Sequence, residues 1–156
     1  MAKKTISEKN GGGIIPQLVF REDFKIDLNG ELTSGSEVEI LFDSQRLPFE
    51  RSVDEKGKSA WSIAAFYQCA PGGEINRVEL KPAKATRKKI VEETVLKGVL
   101  SIPAGSEQAI IWFMNTGKTG QYYYDSDFGK NYRLPVSAPA AAPEPAKKTR
   151  AKSVKN

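Results

Sequence analysis

Apolar residues in this chain recur with a period of two, in short runs that Gly, Pro and Asn interrupt. Val38, Ile40 and Phe42 alternate with Glu37, Glu39 and Asp43, which places one face of an extended strand in a core and the other in solvent. Gln17–Phe20 opens the series, continuing with a break to Leu28 and closing at Asn29-Gly30. Trp61–Gln68 stops at Ala70-Pro71-Gly72-Gly73, and Glu74–Lys81 alternates less cleanly. Thr94–Ile102 stops at Pro103-Ala104-Gly105. Gln108–Met114 holds the most apolar stretch, which belongs at the centre of a sheet. Gln121–Tyr124 and Asn131–Val136 finish the series. Runs of this length and spacing, without a convincing amphipathic helix, predict an all-β, antiparallel β-sandwich of the immunoglobulin or C2 kind with seven or eight strands. Ala83–Glu93 offers only Ile90 and Val91 to bury and reads as a charged loop.

The two ends differ from the middle. Residues 1–13 are polar and finish in Gly11-Gly12-Gly13, a flexible N-terminal arm. Residues 138–156 are Ala/Pro-rich and then Lys-rich, too poor in apolar surface to offset their ordering entropy, and read as a disordered tail. The sandwich domain is expected over 14–137. Of the net charge of +5, the first ten residues carry +2 and residues 138–156 carry +4, which leaves −1 on residues 11–137. Basicity thus resides in the ends. The near-neutral body offers nucleic acid no basic face, and such a partner could be met only through the basic tail.

Composition removes whole classes of chemistry. The chain has no histidine and one cysteine, Cys69. Ser-His-Asp and Cys-His systems, His-ligated zinc and internal disulfides are all excluded. Nineteen acidic residues include no pair that spacing singles out for glycosidase work, so the chain is read as non-enzymatic. Gly117-Lys118-Thr119-Gly120 lacks the glycine that a phosphate loop needs five positions earlier, where Trp112 stands. No apolar run approaches the ~20 residues that span a bilayer. Met1-Ala2-Lys3-Lys4-Thr5 is not followed by a signal-type apolar segment, and the expected location is cytoplasmic.

The densest polar cluster is Tyr124-Asp125-Ser126-Asp127-Phe128-Gly129-Lys130-Asn131-Tyr132. Asp125 and Asp127 offer oxygen ligands on a turn, of the type calcium prefers, although Val136 stands where an EF-hand requires Glu. Their alternative use is to hydrogen-bond their own backbone. In a strand, Tyr122 and Tyr124 share one face and Tyr123 takes the other, so an exposed ring is expected for sugar stacking, with Asn131 as a polar partner. Trp61 and Trp112, in strongly apolar runs, are assigned to the core. Simple up-and-down alternation would gather loops 69–74, 103–108 and 125–131 at one end, with Glu74 or Glu107 beside the aspartates.

The segment Tyr124–Tyr132 resembles the W-D-N-N-x-G-x-N-Y stretch near the end of starch-binding modules of the CBM21 type. Phe42-Asp43-Ser44-Gln45-Arg46-Leu47-Pro48, Ala70–Gly73 and Asp125–Tyr132 together are similar to an uncharacterised bacterial β-sandwich family of unknown function, over most of 17–136. The first resemblance implies glycan binding; the second implies a fold and no activity. The leading expectation is a non-catalytic binding module, carbohydrate-binding and with a calcium-stabilised loop: Tyr122, Tyr124 and Asn131 for the ligand, Asp125 and Asp127 for the metal. The alternative is an assembly protein whose sandwich self-associates as a homo-oligomer or docks on a protein partner, with the basic tail as tether.

Overall fold

A computed structural model describes residues 15–83 and 95–139. The arm expected over 1–13, the charged loop expected over 83–93 except Ala83, and the tail expected over 138–156 except its first two residues lie outside the described residues. The fold is all-β with two five-stranded sheets. The strands are β1 (Gln17–Phe20), β2 (Ile26–Asn29), β3 (Glu37–Asp43), β4 (Trp61–Ala70), β5 (Ile75–Glu79), β6 (Lys81–Pro82), β7 (Val95–Ser101), β8 (Gln108–Gly117), β9 (Tyr123–Asp125) and β10 (Tyr132–Pro135). One sheet has the order β2-β1-β3-β7-β6; the other has β10-β8-β4-β5, with β9 also paired to β8.

The sandwich is as expected, but the described residues alone form ten strands rather than seven or eight. The first run is two strands of a hairpin, Gln17 facing Asn29 and Phe20 facing Ile26. The run over 74–81 is shared between sheets, because β5 pairs with β4 while β6 pairs with β7. One pairing also departs from the antiparallel expectation. Residues 30–36 stay at the end where β1 begins, so β3 runs parallel to β1, with Gln17 beside Glu39.

The period-two pattern is realised directly. Val38, Ile40 and Phe42 from one sheet meet Ile63, Ala65, Tyr67, Ala109, Ile111 and Phe113 from the other, all buried in a single core. Cys69 is part of this core as a free thiol whose pKa burial pushes up, a small apolar group rather than a reactive one. Gly98, opposite Ile40 on β7, completes the inner face. A Cβ there would approach Leu80 Cδ2 to 2.8 Å and Val78 Cγ1 to 3.0 Å, so glycine is what lets 78–80 close over this edge. Among the described residues no helix is long and apolar enough to cross a membrane.

Candidate functional site

β9 and β10 are two halves of one edge strand. Asp125 lies opposite Phe113 and Tyr132 opposite Ile111, so residues 126–131 face the single residue Trp112 and are pushed out as a loop from mid-edge. This corrects the expectation that loop 125–131 shares an end with 69–74 and 103–108. Those two do meet, through Glu107 N donating to Ala70 O at 2.7 Å. The chain does not reverse between Tyr124 and Tyr132, however, so the third loop sits elsewhere, away from Glu74 and Glu107. The loop is tied by its own backbone: Asn131 N donates to Ser126 O at 2.6 Å and Lys130 N to Asp127 O at 3.1 Å.

Under the loop lies a buried polar hub. Arg46 ends a short 3-10 turn, Ser44–Arg46, which Asp43 caps by accepting from Gln45 N at 2.9 Å. Its side chain is fully enclosed. Arg46 Nε donates to Asp125 Oδ2 at 2.7 Å, Nη2 to the Tyr132 hydroxyl at 2.8 Å and Nη1 to Arg21 O at 2.7 Å. The Tyr132 hydroxyl in turn donates to the other oxygen of Asp125. Aromatic rings complete the enclosure, with Cζ of Arg46 4.8 Å from the Phe24 centroid and 5.3 Å from that of Phe20. A buried guanidinium is tolerable only when its charge and its donors are matched in this way. Burial, then the hydrogen bond to Asp125, pushes the Tyr132 pKa up to about 12, so the hydroxyl keeps the proton it donates.

Above the hub opens a cleft of about 650 Å³ between Phe24, Leu47, Phe49, Tyr124 and the segment 125–128. Phe49 stacks on Tyr123 at 4.2 Å, and its backbone N–H donates to the wholly buried Asn115 at 3.2 Å. The lips are two phenylalanines in the same unusual state. Phe24 has φ 67° and is 62% exposed; Phe128 has φ 56° and is 100% exposed. Left-handed backbone is rare for a bulky side chain, and an exposed phenyl ring forgoes its burial energy. Each lip follows an aspartate, Asp23 or Asp127.

The sequence-selected residues divide accordingly. Tyr124 lines the cleft and is 54% exposed; Tyr122 is exposed outside that lining, and Tyr123 packs against the core. Asn131, at φ 63°, closes the loop through its backbone. Both oxygens of Asp125 are held by Arg46 and Tyr132, while Asp127 is partly exposed with Lys130 Nζ at 4.0 Å. Among the described residues no three His, Cys, Asp or Glu side chains gather as a metal site. Trp61 packs against the core as expected, beneath the Arg51 guanidinium at 3.7 Å. Trp112 does not: it lies on the outer face, stacked with Phe66 at 5.8 Å. Sequence reading missed Phe24, Arg46, Phe49 and Phe128. The available signals were an arginine directly before Leu47-Pro48 and the Asp-Phe pair repeated at 23–24 and 127–128.

A family model, the family of unknown function DUF6209, matches residues 14–137. The chain belongs to that family. DUF6209 brings no activity with it, so its hub and cleft must be read from their own chemistry. No curated protein and no solved structure matches the chain, and the comparisons show no likeness to starch-binding modules.

Proposed function

We propose that the domain is a non-catalytic binding module, that its ligand seat is the cleft between Phe24 and Phe128, and that the ligand is an extended protein segment. The observation that carries this reading is the pair of lips. Two phenylalanines that line one cleft hold left-handed backbone and stay largely exposed, Phe128 fully and Phe24 on the side away from Arg46. Such strain costs about 1–3 kcal/mol per residue and persists where the surroundings impose it, commonly at ligand clamps.

Glycan, calcium and protein segment make different demands on this seat. A sugar needs converging partners for its hydroxyls as well as a ring to stack on. Here the nitrogens of Arg46, both oxygens of Asp125 and the Tyr132 hydroxyl are engaged with one another or with backbone, and Ser126 Oγ accepts from Gly129 N at 3.2 Å. Calcium would have to take Asp125 from Arg46. What the cleft offers outward is aromatic faces and one carboxylate, Asp127, which suits apolar or proline side chains with a nearby cation. Peptide-display selection and glycan arrays run in parallel on the full chain test this. Peptides that bind the native chain and are lost on Phe128→Ala are expected; glycans retained natively and lost on that change would overturn the peptide reading in favour of carbohydrate.

A further inference from the structure

Resting on that reading of the cleft as a peptide seat, we infer that its occupant is the Pro139–Lys148 segment of a second copy of this chain, which links molecules head to tail. The segment reads Pro-Ala-Ala-Ala-Pro-Glu-Pro-Ala-Lys-Lys, with Pro143 and Pro145 two to five residues ahead of Lys147 and Lys148. Proline-rich stretches favour polyproline II, whose preformed rings dock against aromatic walls at little entropic cost. At about 3.1 Å per residue, Pro143 to Lys147 spans about 12 Å, a length that lets prolines sit between the phenylalanine lips while a lysine reaches one rim.

Charge points the same way. Arg46 and Asp125 cancel, while Asp127 in the lining and Asp23 beside Phe24 each have only a long, exposed lysine contact, Lys130 at 4.0 Å and Lys25 at 3.9 Å, which a docking cation can exchange with. Residues 139–150 carry Lys147, Lys148 and Arg150 against Glu144, a net of +2. The direction of the chain selects the second copy rather than the first. β10 begins at Tyr132 on the cleft floor and runs away from it along β8, from Ile111 to Gln108. By Ser137, which bridges to Thr33, the chain is five residues, about 17 Å, from its own cleft. Pro-rich sequences as a class act as semi-rigid spacers, which disfavours a return over the same domain and favours a second copy. A contact of one end with another molecule's side is heterologous and propagates as rings or filaments.

Light scattering on the full chain across a wide concentration range tests this. A mass that rises above the monomer with concentration is expected, returning to the monomer when a synthetic 138–150 peptide is added in excess. Phe128→Ala and the double change Pro143→Gly/Pro145→Gly are each expected to remain monomeric at every concentration. Phe128 is fully exposed, so an unchanged thermal midpoint should accompany its loss of assembly. A full chain that is monomeric throughout, or an assembly that survives Phe128→Ala, overturns the inference. Unrelated peptides selected by a monomeric chain through Phe128 would overturn this inference alone; a cleft that selects no peptide would overturn the peptide seat as well.

Discussion

Two aromatic regions flank the same edge of this molecule, and they treat their rings in opposite ways. On the outer face of the second sheet, Arg77, Phe66 and Trp112 lie in one cross-strand row. The indole and phenyl planes are 10° apart, and the Arg77 guanidinium sits 5.5 Å from the Phe66 centroid, so both faces of Phe66 are covered. A few residues away, Phe128 is wholly exposed and Phe24, covered on one side by the Arg46 guanidinium at 4.8 Å, is still 62% exposed, both on strained backbone. The first arrangement converts aromatic surface into stability at the site itself. The second withholds that stability, which only a ligand could recover. Aromatic content alone therefore does not identify a binding surface; the state of the ring faces does.

The largest way to break the comparison is to remove what supports the cleft. Arg46→Ala leaves the buried Asp125 carboxylate without its cation, and breaking a buried pair from one side typically costs about 3–5 kcal/mol. Urea unfolding is expected to show a loss of that size. A loss below about 1 kcal/mol would mean that the hub is not what holds the cleft floor.

Tyr132→Phe is the next largest. At neutral pH it removes a donor to Asp125 and an acceptor from Arg46, a loss of about 2 kcal/mol. It also changes the pH dependence. The folded state raises the Tyr132 pKa from 10.0 to about 12, so between those values the native protein keeps a proton that the unfolded chain releases. That contribution is intact below pH 10.0 and disappears as pH rises through about 12. Melting curves across this alkaline window should fall more steeply for the native chain than for Tyr132→Phe. Parallel slopes would remove Tyr132 as their source.

How much of this was legible in the sequence follows from the range of the interactions involved. Alternation at Val38-Ile40-Phe42 is a local signal, and the buried face it predicts is the one found. Strand number was underestimated where one apolar run serves two partners, as at Ile75–Glu79 and Lys81–Pro82. Pairing is a long-range choice that a run does not encode. The same limit hid the hub, because Arg46 and Asp125 are 79 residues apart and neither is unusual alone. Asp125 reads as a cation ligand from its neighbours in sequence, and its contact with the Arg46 guanidinium is visible only in the fold. Trp112 looked like core because its neighbours Ile111 and Phe113 are core; it is the residue between them, and alternation sends it outward.

Trp112→Ala sharpens the contrast from the stacked side. The ring is half-buried and stacked, so its removal should cost roughly 1–2 kcal/mol while leaving capture of cleft-selected peptides unchanged. Capture lost without loss of stability would move the binding surface onto the outer face. Phe128→Gly is the mirror image. Glycine relieves the left-handed backbone at φ 56° while adding freedom to the unfolded chain, and the net effect should be a gain of up to about 1 kcal/mol with peptide capture abolished. A destabilised Phe128→Gly would mean that the ring is structural after all.

The smallest expected effect is that of calcium, and it tests the hub from outside. Asp127 is the one loop carboxylate with an open side, while both oxygens of Asp125 are occupied by Arg46 and Tyr132. A hard cation needs six or more oxygens and would recruit Asp125 only by displacing a buried guanidinium, which would then lie unpaired. Millimolar calcium is therefore expected to leave the thermal midpoint where it is. A clear rise would mean preferential binding to the folded state. Repeating it on Asp127→Asn would then show whether the ion sits at the rim, with the hub closed, or has opened the hub and redrawn the floor of the cleft.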